Sequence, residues 1–172
     1  TAIKTLSVRG APAIGIAAAY GLVVGLSAAA KVSSFEHLMK ALNERRDYLA
    51  SARPTAVNLV WALDRMMSVA NSFEDIGAEK LIQCLIQEAE TIHTEDKASC
   101  RAIGEAGYEV VKRHPRLLTH CNAGSLAVSE LGTALAPMYV AHQRGIELHV
   151  FVDETRPLLQ GARLTAFELG RA

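Results

Sequence analysis

The sequence predicts a mixed α/β chain: a helical N-terminal domain over residues 1–114, then the start of a doubly wound parallel sheet over residues 115–172. Three observations predict it. Apolar residues recur at helical spacing through the first two thirds. After His114-Pro115 the pattern changes to two short β-forming runs, Leu117 to Cys121 and Glu147 to Asp153, with a helical stretch between them. Strand, helix, strand, helix at that spacing makes a parallel sheet. Two parallel strands are too few to be stable alone, so the chain reads as a piece of something longer, cut at both ends.

The first helix is expected from Pro12 to Ala30. Pro12 suits a first helical turn, because its missing N–H is one the helix leaves unpaired anyway. Ala13, Ala17, Gly21 and Gly25 recur every four residues and form a face small enough for close packing. Ser33 or Ser34 caps a second helix that runs to about Ala50, with Glu36 in the capping-box place for Ser33. Pro54 breaks it. Thr55 is a candidate cap for a third helix, whose stripe is Leu59, Ala62, Leu63, Met66 and Ala70. A fourth spans Ile76 to about His93 with Leu81, Ile82, Leu85, Ile86 and Ala89 inward. A fifth, Glu95 to Lys112, contains Ile103, Ala106, Val110 and Val111, with Gly104 and Gly107 weakening it or marking close packing. Thr133 to Arg144 and Ala162 to Leu169 complete the helical set.

Bulk properties exclude several function classes. Eighteen acids balance eighteen bases, so no basic excess points to nucleic acid. Cys84, Cys100 and Cys121 lack metal-ligand spacing, which argues against a zinc site and a disulfide framework and fits a reducing compartment. Cys84 and Cys100 lie on helices and read as buried, inert thiols. The start lacks Met and a basic signal region, and reads as trimmed. Gly10 to Ala30 is uncharged and long enough to span a bilayer, but Ala and Gly dominate it, so a buried helix is expected and no membrane partner.

Two places carry candidate chemistry. Arg9 and Gly10 precede the first helix, where free backbone N–H groups, a glycine permitting close approach and a forked guanidinium suit a phosphate. Arg53 stands before the third helix in the same relation, so the two arginines suggest a shared anion site. The second place is the carboxyl edge of the sheet, where ligands bind in open α/β folds. One strand end carries His120-Cys121-Asn122-Ala123-Gly124-Ser125, the other Asp153-Glu154-Thr155-Arg156-Pro157 and then Gln160-Gly161. The residues alone leave Cys121 either a reactive thiol or a structural one. His120 alternates with it and points to the other face. His149 and Asp153 are too isolated for a metal site.

The chain resembles the methylthioribose-1-phosphate isomerases, which share a superfamily with the regulatory subunits of the eukaryotic initiation-factor exchange complex. The resemblance runs through Val8-Arg9-Gly10-Ala11-Pro12-Ala13-Ile14-Gly15, Arg53-Pro54-Thr55-Ala56-Val57-Asn58-Leu59, Thr119-His120-Cys121-Asn122, Gly132-Thr133-Ala134-Leu135 and Val152-Asp153-Glu154-Thr155-Arg156-Pro157 on to Thr165. It implies a Rossmann-like second domain and an aldose–ketose isomerase of methionine salvage acting on a small sugar phosphate. It also implies a cytoplasmic homodimer in the full-length protein, with no organic cofactor, metal, nucleic acid or membrane. Arg9, Gly10, Ala11, Arg53 and Gln160 match the family's substrate-binding positions, and Cys121 its active-site cysteine. The family's catalytic Asp has no match within these 172 residues, so the resemblance implies an inactive fragment. Ribose 1,5-bisphosphate isomerase and a non-catalytic regulatory subunit are the alternatives. Val128-Ser129-Glu130-Leu131 departs from the smaller, Gly-containing turn usual before Gly132.

Overall fold

The computed structural model describes residues 1–26, 34–73 and 76–172. They divide into two compact units, Thr1–Thr94 and Glu95–Ala172. The division falls inside a helix, whereas composition changes only where helix gives way to strand, at 114/115.

The first unit is helical. It holds α1 (Ala11–Val24), α2 (Phe35–Ala50), α3 (Val57–Asn71) and the first half of α4 (Ala78–Arg113). Its core joins Ile14, Ala18 and Leu22 of α1 to Leu38 and Leu42 of α2, to the expected α3 stripe, and to Leu81 and Leu85 of α4. The five α3 positions Leu59, Ala62, Leu63, Met66 and Ala70 are all fully buried. Residues 27–30 of the expected first helix, and Ser33 with its proposed capping box, lie outside the described residues. Ser34 is the cap of α2, its side chain accepting from the His37 backbone N–H. Thr55 does not cap α3. The helix starts one residue later than that cap requires, behind Ala56, with no side-chain cap.

The close approach on α1 is not where the small-residue face puts it. A Cβ on Gly15 would meet the Asn58 carbonyl oxygen at 2.8 Å, so α1 and α3 touch through backbone there. Gly21 instead faces the end of Leu49, and Gly25 faces Arg45, whose Nη2 donates to the Gly25 carbonyl.

The fourth and fifth expected helices are one, α4. Thr91 and Thr94 do not break it. Each hydroxyl donates at 2.8 Å to the carbonyl one turn back, of Gln87 and Glu90, instead of capping a new helix. In the second half Cys100, Gly104 and Val111 are buried, while Ile103, Ala106 and Val110 are exposed. Gly104 and Gly107 mark close packing, because Cβ atoms there would run into Val140 and Pro137.

The second unit adds β1 (Arg116–His120), α5 (Ala136–Gln143), β2 (His149–Asp153), a π-turn segment Gly161–Thr165 and α6 (Ala166–Leu169). The strands pair in parallel, Arg116 with His149 through His120 with Asp153, as the strand–helix–strand order requires. The first strand keeps its expected length but lies one residue earlier, ending before Cys121, and the second is two residues shorter than expected, beginning at His149. Among the described residues no helix is long and apolar enough to cross a membrane.

Candidate active site

The phosphate candidates of the first unit stand at the starts of α1 and α3. Gly10 is the N-cap of α1 with φ 90, a left-handed conformation that glycine adopts without strain. The first turn holds no acidic residue and no side-chain cap, so the Ala11 end of the helix keeps its positive pole unneutralised. Arg9 is half-buried, and its Nε donates to the Leu6 carbonyl at 3.2 Å. Arg53 is half-buried in the turn before α3, and Ala56 N–H donates to its carbonyl at 3.0 Å. Neither guanidinium pairs with a carboxylate among the described residues. The Gly15–Asn58 contact brings the starts of α1 and α3 close to each other.

In the second unit the two strand ends leave the sheet side by side, because His120 and Asp153 are partners in the ladder. Cys121 follows His120 directly. It is half-buried and sits at φ 62, a conformation that a residue with a Cβ holds only under constraint. His120 lies on the exposed face, where its Nδ1 is 3.2 Å from Asp153 Oδ2. His120 thus pairs with Asp153 and not with Cys121, though strand alternation is not the reason, since Cys121 lies past the end of β1. Gln160 lies on the second loop, half-buried, its Oε1 accepting from the Thr155 hydroxyl at 3.2 Å. The same hydroxyl receives the Gly161 N–H. A Cβ at Gly161 would collide with the Asp153 carbonyl, so the glycine is what lets this loop fold back on the end of β2.

Two residues that sequence reasoning passed over hold the Cys121 turn. Thr165, fully buried, donates to the Cys121 carbonyl at 2.6 Å and receives Asn122 Nδ2 at 3.1 Å. Glu168, also buried, receives Asn122 Nδ2 at 2.7 Å, the Ser125 N–H at 2.6 Å and the Ser125 hydroxyl at 2.8 Å. Tyr139 donates to it at 3.4 Å, and burial followed by the Glu168 charge pushes that phenol up to about 12. The signal available in sequence was slight: two polar residues three apart, hence on one face, in a short helix after a strand-end loop.

The unusual Val128–Leu131 turn is fastened to α4. Ser129 gives its N–H, at 2.9 Å, and its hydroxyl to Asp96. Glu130 takes a fork from Arg101 at 2.9 and 2.8 Å, which holds its carboxyl below the usual carboxylate range. The other cysteines differ in exposure. Cys100 is buried, and burial, then Asp96, pushes its thiol up, whereas Cys84 is half-buried. Among the described residues no group of three His, Cys, Asp or Glu side chains could hold a metal ion.

Residues 7–172 match the family model described as "Initiation factor 2 subunit family". The chain is 54% identical over 173 residues to a 5-deoxyribose 1-phosphate isomerase of Petrotoga mobilis, covering 99% of the chain and 49% of that protein. It is 53% identical over 171 residues to a methylthioribose-1-phosphate isomerase of Geobacillus thermodenitrificans, covering 99% and 47%. The crystal structure of 5-methylthioribose 1-phosphate isomerase from Pyrococcus horikoshii superposes with a TM-score of 0.91 at 40% identity, over 98% of this chain and 47% of that one. The chain thus spans about half the length of the relatives it matches.

Proposed function

The chain belongs to the initiation factor 2 subunit family, and from that premise we propose that the protein containing it is an aldose–ketose isomerase of a 5-substituted pentose 1-phosphate. The substrate we favour is 5-methylthioribose 1-phosphate, converted to the corresponding ribulose 1-phosphate in methionine salvage. The 5-deoxyribose sugar named for the Petrotoga relative differs from it only at C5, where both carry an uncharged group. In the net reaction the bond from C1 to the ring oxygen breaks. C1 gains the hydrogen that C2 loses, and the C2 hydroxyl proton passes to the former ring oxygen.

The observation that carries this reading is Cys121, a half-buried thiol on a constrained backbone at the carboxyl edge of a parallel sheet. In this reading Cys121 transfers a proton or stabilises the transition state at the reacting carbons. Arg9, Gly10, Ala11 and Arg53 bind the phosphate at the uncapped start of α1, and Gln160, on the loop after β2, is assigned to substrate binding by the family resemblance. That assignment draws support from two guanidiniums without acidic partners among the described residues and from the unneutralised start of α1. The full-length protein is taken to be a cytoplasmic homodimer.

The test is turnover by the full-length protein, followed by carbon NMR of the ketone carbonyl. Methylthioribose 1-phosphate and 5-deoxyribose 1-phosphate are expected to react, and Cys121→Ser to lower kcat by about 10²-fold or more. Turnover of ribose 1,5-bisphosphate alone replaces the substrate assignment. No turnover of any of the three supports a regulatory subunit instead.

A further inference from the structure

Glu168 is a buried carboxylate whose donors come almost entirely from one surface loop. A charge taken out of water needs such donors, and removing them is costly. Here the loop is the one that carries Cys121. Thr165 and Glu168, three residues apart where the π-turn passes into α6, take hold of residues 121, 122 and 125 together. Thr165 fixes the Cys121 carbonyl at 2.6 Å, Asn122 divides its two amide hydrogens between Thr165 and Glu168, and Glu168 closes on both donors of Ser125. The φ of 62 at Cys121 is the kind of backbone state that persists only when its surroundings over-determine it.

We propose that Thr165 and Glu168 are positioning residues for Cys121: they lock the turn behind it so that the thiol keeps a single orientation at the sheet edge. This rests on the reading of Cys121 as the reactive group. Neither residue touches the substrate. Each acts through the backbone that carries the thiol, so its loss lowers kcat while leaving phosphate binding in place.

The test uses the full-length protein with Thr165→Val, which keeps the shape and removes the hydroxyl, Thr165→Ser, which restores it, and Glu168→Gln, which replaces an accepting oxygen with a donor. Each is measured for kcat, KM and the rate at which iodoacetamide alkylates Cys121, resolved by peptide mass spectrometry. T165V and E168Q are expected to lower kcat by about 10–100-fold, the cost of a misplaced reacting group, with little change in KM. The alkylation rate of Cys121 is expected to change with kcat, and T165S to restore both. Wild-type kcat and alkylation rate in E168Q, or a loss of kcat without a change in alkylation, overturns the proposal. If T165V does not fold, E168Q and T165S decide it. If the wild-type protein turns over no sugar phosphate, the isomerase reading fails separately, and the alkylation rates alone judge the positioning.

Discussion

Gly15 and Asn58 are in contact through backbone: a side chain's first carbon on Gly15 would stand 2.8 Å from the Asn58 carbonyl oxygen. Both residues lie near the starts of their helices, α1 and α3. The contact therefore links a packing feature of the core to the starts of the two helices that Arg9 and Arg53 precede, the segments proposed to bind an anion.

Gly15→Ala is expected to destabilise the protein. Overpacking costs about 1–3 kcal/mol, and the gain in helix propensity offsets about 1 kcal/mol of that. Gly21→Ala is the control. Its new methyl meets only Leu49 Cδ2 and Cδ1, at 3.7 and 3.9 Å, so the propensity gain of about 0.5–1 kcal/mol should remain. Urea unfolding of both variants checks the order. An Ala at 15 as stable as an Ala at 21 would mean that the close approach is not needed.

Arg53→Ala is expected to weaken binding of a sugar 1-phosphate to the full-length protein. A hydrogen bond to a charged group contributes about 1.5–3 kcal/mol, which corresponds to roughly 10–150-fold in Kd. Arg53→Lys should recover only part of that, because an ammonium has no fork to match the phosphate oxygens. Calorimetric titration measures both, and unchanged affinity in R53A removes this residue from the site.

Much of this was legible in the sequence, for reasons that particular residues make plain. The α3 stripe from Leu59 to Ala70 was readable because a buried helix face repeats its apolar residues at a fixed spacing. The two strands were readable because β-branched and large apolar residues cluster in them, and their parallel pairing followed from the helix between. The continuity of α4 was not, since a threonine hydroxyl serves equally as a cap or as a donor to the preceding turn, and Thr94 does the second. Close packing at Gly104 and Gly107 was legible only as one of two alternatives, because glycine gives no hydrophobic signal to choose between a weakened helix and a tight contact. Glu168 was hidden because its partners Asn122 and Ser125 stand 46 and 43 residues away.

Gly161→Ala is expected to damage the Gln160 loop. The atoms in the way are the backbone carbonyl of Asp153 and its carbon, which cannot yield as a flexible side chain would. The loop must move off the end of β2, at a cost of about 1–3 kcal/mol or more. Because Gln160 is assigned to substrate binding, KM should rise more than kcat falls. A crystal structure of G161A with an undisplaced loop and wild-type KM would contradict this.

Tyr139 gives a pH dependence whose sign can be worked out. Burial, then the nearby Glu168 charge, then the hydrogen bond between them raise its pKa from 10.0 to about 12. The unfolded chain releases this proton near the ordinary value, about 10. Between those two values the folded state binds more protons than the unfolded one, so stability falls as pH rises. Below that window both states are protonated, and the contribution is fully present. Tyr139→Phe removes the titrating group, so its stability should decline less steeply above pH ~10 than that of the wild type, with parallel behaviour at lower pH. Tyr20, whose phenol burial also pushes up, is common to both proteins and cancels in the comparison. Urea midpoints on either side of the window measure the difference, and identical slopes in the two proteins would show that Tyr139 does not titrate against the buried Glu168.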